Sequence, residues 1–420
     1  MKINLSEFSA CLSTYEGPIA VAVSGGADSL ALLLLAQAWA QQQGERIIAL
    51  TVDHGLRADS QKEAQQVHTW AQMRGIEHVT LEWRDEKPNA RIQEKARLAR
   101  YALMTQWCRD NNVSTLLLGH HQQDQEETFW LRLSSGSGLD GLSGMKKEIV
   151  RDGITILRPL LGFSKERLKS ILMTNNQQWI EDPSNQNSRF FRGRLRTFLG
   201  KEGLSQQRLS NIMEKLQTDA DFIHDELQKA IQTTVHVHDG GYLSLQKKSF
   251  EDLHPAISKR LLPFLMQWFS GKRYSPRSSQ VEVILEKLKT SAPFTAGGIY
   301  WAPKQEEILL LREVSAVTEK VPLSQLQQKT LWDNRFWIDP EIKKNVSRET
   351  FLAPLGTSPG LKKEVISSIP RRVWPTLPAL WVNGTVVSIP HFCYDTESAM
   401  DHLKFFYLKP LFHDSLTFTI

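Results

Sequence analysis

Ile19-Ala20-Val21-Ala22-Val23-Ser24-Gly25-Gly26-Ala27-Asp28-Ser29 runs straight into a Leu-, Ala- and Gln-rich tract from Leu30 to Gln43. The apolar, largely β-branched head predicts a buried parallel strand, and the tract predicts a helix ending before Gly44. Between them the chain turns where Gly25 and Gly26 carry no side chain, which lets the backbone approach a ligand closely. Ser24 and Ser29 add hydroxyls. The unsatisfied N–H groups of the new helix add donors and the positive end of a dipole. A strand, turn and helix of this kind form a cradle for phosphate.

Absent residues narrow the kind of cradle. No Gly-Lys-Ser/Thr follows, so this is not a Walker A loop. No Gly-x-Gly-x-x-Gly is present, so Asp53 at the end of the next strand is not simply a dinucleotide ribose ligand. Ser-Gly-Gly-Ala-Asp-Ser resembles the PP-loop of ATP pyrophosphatases, which cleave ATP between the α and β phosphates. That resemblance says nothing of the second substrate.

Further along, Ile47–Val52 predicts a strand ending in Asp53-His54-Gly55-Leu56-Arg57, and Ser60 to Arg74 a helix with Ser60 and Glu63 as a capping box. Strands at Val79–Trp83 and Val113–Leu118 flank a helix from Asn89 to Asp110 that carries Arg97 and Arg100. The last of these strands runs into Gly119-His120-His121-Gln122-Gln123-Asp124 and another helix. Strands alternating with helices predict a parallel, doubly wound α/β sheet, Rossmann-like, whose ligands bind at the carboxyl ends of its strands. Ser24–Ser29, Asp53–Arg57 and His120–Asp124 all fall at such ends. Each also has a bland reading: a polar turn at Asp53, histidines that cap a strand or pack under a helix, acids that favour a helix start. A metal site built on the histidines lacks a third ligand. Asp28 and Asp124 beside a triphosphate are instead what Mg²⁺ needs.

Taken in order, several motifs resemble the tRNA(Ile)-lysidine synthetase family. They are Ser-Gly-Gly-x-Asp-Ser, Val52-Asp53-His54-Gly55-Leu56-Arg57, Ala96-Arg97-x-x-Arg100-Tyr101 and Gly119-His120-His121-x-x-Asp124-Gln125-x-Glu127-Thr128. Arg132-x-x-x-Gly136-Ser137-Gly138-Leu139, Arg158-Pro159-Leu160-Leu161 and Glu181-Asp182-Pro183-Ser184-Asn185 continue the match. Two positions depart from the family: Gln123 stands where an acid is usual, leaving Asp124 to carry that role, and Gly193 replaces an Asn.

The resemblance implies a ligase that adenylylates the C2 oxygen of the wobble cytidine in the CAU anticodon of isoleucine tRNA. The ε-amine of free L-lysine then displaces AMP to give lysidine. It implies ATP as substrate and Mg²⁺ as cofactor. Ser24, Gly25, Gly26, Ala27, Asp28 and Ser29 would bind phosphates, Asp28 and Asp124 would hold the metal and act in catalysis, and His54, Arg57, Arg97 and Arg100 would add charge or base contacts.

At 420 residues the chain is too long for one core, and 41% hydrophobic with 23% charged residues is a globular composition. A net charge of +5 permits an anionic partner without demanding one. Cys11, Cys108 and Cys393 are far apart and form no CxxC pair, which argues against disulfides, zinc and iron–sulfur ligation and suits a reducing cytoplasm. No signal peptide is expected from the first residues, and no apolar run is long enough to span a membrane.

The expected organisation is a PP-loop catalytic domain over 1–200, a helical connector and middle α+β domain over 201–315, and a β-rich tRNA-binding domain over 325–420, after a polar linker at Pro322–Gln328. Arg189, Arg192, Arg194 and Arg196 fall together without an acid among them, and uncompensated guanidiniums repel unless an anion lies opposite. Arg192 and Arg196, with Lys362, Lys363, Arg371 and Arg372 in the last segment, are the candidate tRNA contacts. A homodimer is left open. A sulfur-inserting tRNA thiolase of the same fold would need a thiolate carrier or cluster cysteines. An amidotransferase-type synthetase would need a glutaminase segment, which is not found. A non-catalytic nucleotide- or tRNA-binding protein would release no pyrophosphate.

Overall fold

The computed structural model describes residues 5–12, 15, 17–56, 59–84, 92–181, 206–272, 275–356, 369–392, 394–395 and 406–408. It falls into two compact units, Met1–Ala220 and Asp221–Ile420.

In the first unit, the alternation along β1 (Ile19–Ala22) sorts its side chains between two cores. Ile19 and Val21 join Leu30, Leu33 and Trp39 of α2 (Ala27–Gln43), whereas Ala20 joins Tyr101, Met104 and Cys108 on the other face. A strand buried on both sides has no polar alternation to show, which is why it reads as a continuous apolar run. Around it lie β2 (Ile47–Asp53), α3 (Ser60–Met73), β3 (Glu77–Glu82), α4 (Ile92–Asp110), β4 (Thr115–Leu117), α5 (Gln122–Ser134), α6 (Leu139–Leu142), β5 (Glu148–Arg151), β6 (Ile154–Leu157) and α7 (Lys165–Thr174). The sheet order is β3-β2-β1-β4-β6-β5. All neighbours pair in parallel except the edge strand β5, which is antiparallel to β6. The order reverses at β1, which places the loop after β1 beside the loop after β4. That is the switch point where such sheets bind ligands.

Two local expectations need correction. Ser60 is the first residue of α3 rather than its cap; Asp59 takes that place without a side-chain cap bond, and Glu63 N–H, which a Ser60 cap would need, already donates to Asp59 O. Pro322–Gln328 is not a polar linker. Its first residue pairs in the short strand Val321–Pro322, the 3-10 helix Leu323–Gln325 follows, and Leu323 and Leu326 are buried.

In the second unit, the end of α8 (Gln206–Thr234) leads into β7 (Val235–His238) and β8 (Tyr242–Gln246), which pair with β9 (Phe294–Ala296), β10 (Ile299–Pro303) and β11 (Glu307–Arg312) in the order β7-β8-β11-β10-β9. One face packs on helices Pro255–Ser270 and Ser278–Leu288. The other packs Tyr242, Leu309 and Leu311 against Val373 and Leu377. Two further antiparallel sheets follow among the described residues, one of five strands and one of three. The hairpin Pro378–Val382 to Thr385–Ile389 turns on Asn383 and Gly384, both with positive φ (50° and 80°), as a type I′ turn requires. The segment 315–325 lies inside this second unit.

Arg335, fully buried, donates through Nε to Asp333 Oδ2 at 2.6 Å and through Nη2 to Thr376 O at 2.6 Å. Arg312 donates to the same carboxylate, Nη2 to Oδ1 at 3.0 Å. Burial pushes the Arg335 guanidinium down to about 10, against the opposing pull of Asp333. This network ties β11 to the turn after Trp332 and to the Trp374–Thr376 helix.

Candidate active site

Gly25 has φ +84°, a conformation that side chains disfavour, and a Cβ there would stand 2.7 Å from Ile180 Cδ1 and 3.0 Å from Val67 Cγ2. Its carbonyl accepts from Ile180 N–H at 2.9 Å. The loop is therefore held from outside by the segment after α7. From within, Ser29 Oγ accepts from Ser24 N–H at 3.1 Å and donates to Gly26 O at 2.9 Å. Gly26 caps α2 without a side-chain bond, so the first-turn N–H groups have no intrahelical acceptor. A rigid turn presenting such donors suits phosphate oxygens.

Gly119 ends the neighbouring loop after β4. A Cβ there would lie 3.2 Å from Asp28 O and Ser29 Cα, a tight fit against backbone, so the missing side chain lets that strand end press close against the start of α2. The approach delivers His121. This imidazole is 2% exposed; its Nε2 stands 3.3 Å from Asp28 Oδ2 and its Nδ1 stands 3.3 Å from Asp124 Oδ2. His121 also caps α5: its Nδ1 accepts from Asp124 N–H at 3.3 Å, while Asp124 Oδ2 accepts from His121 N–H at 3.0 Å. The neutral ring thus carries its proton on Nε2, toward Asp28. When protonated, it offers Nδ1–H to Asp124 instead.

The charges agree with this bridge. Burial opposes ionisation of Asp28, but the hydrogen bond and charge of His121, with Lys165 and Lys169, hold its carboxyl below the usual range. Burial likewise opposes protonation of His121, and the bond to Asp28 with the charges of Asp124 and Asp28 raises it overall. Asp28 Oδ1 is buried without a hydrogen-bond partner among the described residues.

On the neighbouring strand end, Arg100 Nη2 lies 3.0 Å from His54 Nε2. Burial drives the His120 imidazole well below its ordinary value, and the positive charges of Arg158, Arg97 and Arg100 add to that. Asp53 Oδ1 accepts from Gly55 N–H at 2.9 Å and so shapes its own turn.

The structure thus brings Ser24–Ser29, Asp28 and Asp124 together, and separately His54 with Arg100, with Arg97 among the cations around His120. Gln123 turns away to accept from Lys165 N–H at 3.2 Å. Arg371 and Arg372 are exposed, with Arg372 4.5 Å above the Tyr300 ring. Arg57, Arg192, Arg196, Lys362 and Lys363 lie outside the described residues. Sequence reading left the histidines as capping a strand or packing beneath a helix; His121 instead caps the start of α5, and its place between two carboxylates depends on the contact of two strand ends distant in the chain. The one local signal was its spacing of three residues from Asp124.

A family model for a PP-loop domain matches residues 3–203. The tRNA(Ile)-lysidine synthase of Wolbachia pipientis wMel is 35% identical over 398 residues, covering 92% of this chain and 91% of that protein. That of Ruegeria pomeroyi is 33% identical over 379 residues, covering 89% and 88%. A solved U34-tRNA thiolase from Methanococcus maripaludis aligns with 51% of this chain and 78% of its own at 16% identity, with a TM-score of 0.44.

Proposed function

We propose a division of labour for this chain, which belongs to the tRNA(Ile)-lysidine synthase family. It is an ATP-dependent ligase that joins L-lysine to C2 of the wobble cytidine of the CAU anticodon of tRNA(Ile). The observation that carries the reading is the meeting of Asp28, His121 and Asp124 at the head of the PP-loop.

A carbonyl oxygen is a poor leaving group, and adenylylation makes it a good one. In the first step the cytidine O2 attacks the α-phosphorus, the α–β anhydride bond breaks, and pyrophosphate leaves with the electron pair. Ser24 and the N–H groups of Gly25–Ser29 hold the phosphates, acting where charge develops, while the Ser29 hydroxyl, committed to Gly26 O, braces the turn. In the second step the lysine ε-amine attacks C2 and AMP departs. The amine reaches the site as an ammonium. Asp124 holds it, and the Asp124–His121 pair accepts its proton. His54, Arg97 and Arg100 face the phosphates or the base from the next strand end.

The PP-loop family implies Mg²⁺. The donor set fits: Asp28 offers a buried oxygen without a partner, Asp124 a second carboxylate, and no group of three protein ligands is present among the described residues, as suits an ion completed by phosphates and water. Asp28 and Asp124 would hold it, and it would offset charge on the phosphates.

Arg371 and Arg372, with Arg192, Arg196, Lys362 and Lys363, contact polyanion, and the last segment serves tRNA binding, whereas Arg57 belongs with His54, Arg97 and Arg100. Removing charge at Arg371 and Arg372 should flatten the salt dependence of tRNA binding by a log–log slope of roughly 0.7–0.9 for each phosphate no longer neutralised. No helix among the described residues is long and apolar enough to cross a membrane, and an enzyme acting on tRNA works in the cytoplasm.

Mass spectrometry of nucleosides from tRNA(Ile) incubated with protein, ATP and lysine tests the whole reading. Lysidine should appear only with all components. A thiolated base, or a product formed without lysine, overturns it.

A further inference from the structure

Lys165 and Lys169 stand one turn apart on α7, and both are half-buried, which lysines seldom are unless paired. Neither ammonium makes a hydrogen bond or ion pair among the described residues. The nearest acid in sequence is already engaged, since the Glu166 carboxylate bonds with its own backbone, Ser164 and Gln123. Both lysines nevertheless act on the site. Their charges bear on the Asp28 carboxylate, and that of Lys165 also on His121.

Their position is fixed rather than incidental. Leu168 and Leu172 of α7 are fully buried in the core shared with α2. The helix start is pinned to the start of α5 by two bonds: Gln122 N–H to Phe163 O at 3.1 Å and Lys165 N–H to Gln123 Oε1 at 3.2 Å. Past α7 the chain returns to the loop, where Ile180 N–H meets Gly25 O. The helix therefore carries two cations without a partner among the described residues, and it and its flanking segments are anchored to both of the loops that build the site.

We propose that Lys165 and Lys169 clamp the β and γ phosphates of ATP and hold the departing pyrophosphate. The inference rests on the reading of the loop as a triphosphate cradle and adds residues to it. When the α–β anhydride breaks, the bridging oxygen keeps the electron pair, and negative charge grows on the leaving group. Two ammonium groups on a rigid helix answer that growth without reorganisation. Asp28 faces them electrostatically until the nucleotide arrives.

The test is inhibition of the full-length enzyme by inorganic pyrophosphate, measured beside the KM values for ATP and lysine. Lys165→Met and Lys169→Met keep the aliphatic stem. Each should raise both the pyrophosphate inhibition constant and the KM for ATP about tenfold, as removal of one charge-assisted hydrogen bond would. The KM for lysine should stay within twofold, and Lys165→Arg should restore most of the pyrophosphate affinity. Unchanged pyrophosphate inhibition in both Met variants overturns the proposal. So does a rise confined to the KM for lysine, which would mean that the ammoniums serve only to balance the carboxylates. Circular dichroism and the Arg rescue exclude a folding defect. Failure of the wild type to release pyrophosphate from ATP would instead refute the loop reading itself, a separate result.

Discussion

His121 sits where a single proton decides how two carboxylates behave. Because its bond and charge keep Asp28 ionised, a neutral replacement leaves Asp28 and Asp124 to repel, and the Asp28 carboxyl then titrates at higher pH. His121→Gln should therefore shift the acid limb of the pH–rate profile upward as well as lower kcat; an unshifted limb would remove His121 from the site's electrostatics. Asp28→Ala removes the bond outright and should lower pyrophosphate release by about 10²-fold or more, on the scale of losing one preorganised group. Asp28 was legible in the sequence because a residue three after Gly25 in such a turn must lie at the helix start. Lys165 and Lys169 were not, since charges on an amphipathic helix look the same whether they face water or a site.

At the scale of elements, the two glycine contacts explain why the PP-loop has its shape. Gly25→Ala meets a clash with Ile180 and a backbone that disfavours a side chain, and should cost about 1–3 kcal/mol. Trimming the obstacle with Ile180→Ala removes the nearer clash and leaves the backbone strain and Val67 Cγ2 at 3.0 Å. The double variant should thus recover part of the stability but little of the ATP affinity, measured by urea unfolding and nucleotide titration. Full recovery would assign the whole effect to sterics. The parallel sheet and its loops were legible because strand, turn and helix alternate within short windows. The turn at Asp333-Asn334, with φ of 44° and 55°, was not, because both positions are left-handed without a glycine to mark them. Its side chains supply the reason: Asn334 Nδ2 donates to Trp268 O at the end of the Pro255–Ser270 helix, and Asp333 gathers two arginines.

Over the whole molecule, buried ionisable groups set the response to acid. Burial holds the His391 imidazole at about 4, below its ordinary 6.5, so it is neutral in the fold. The unfolded chain then binds the extra proton, and stability must fall as pH drops from about 6.5 toward about 4. His391→Phe, which keeps a ring beside Phe336 and Phe406, should flatten that decline in the urea midpoint of the second unit. A parallel decline in variant and wild type would clear His391 of the effect. Asp333→Asn strips the carboxylate from two buried guanidiniums and should cost about 3–5 kcal/mol.

That same carboxylate bears on how such a chain can be inherited. A crossover or stop placed after β11 would leave Arg312 without its anion and uncover Leu309 and Leu311, so the product would carry a stranded charge and a bare apolar face. A joint near Ala220 cuts neither. Recombination among relatives should therefore trade residues 221–420 as one cassette, and chimeras spliced near 320 should come out insoluble where those spliced near 220 do not.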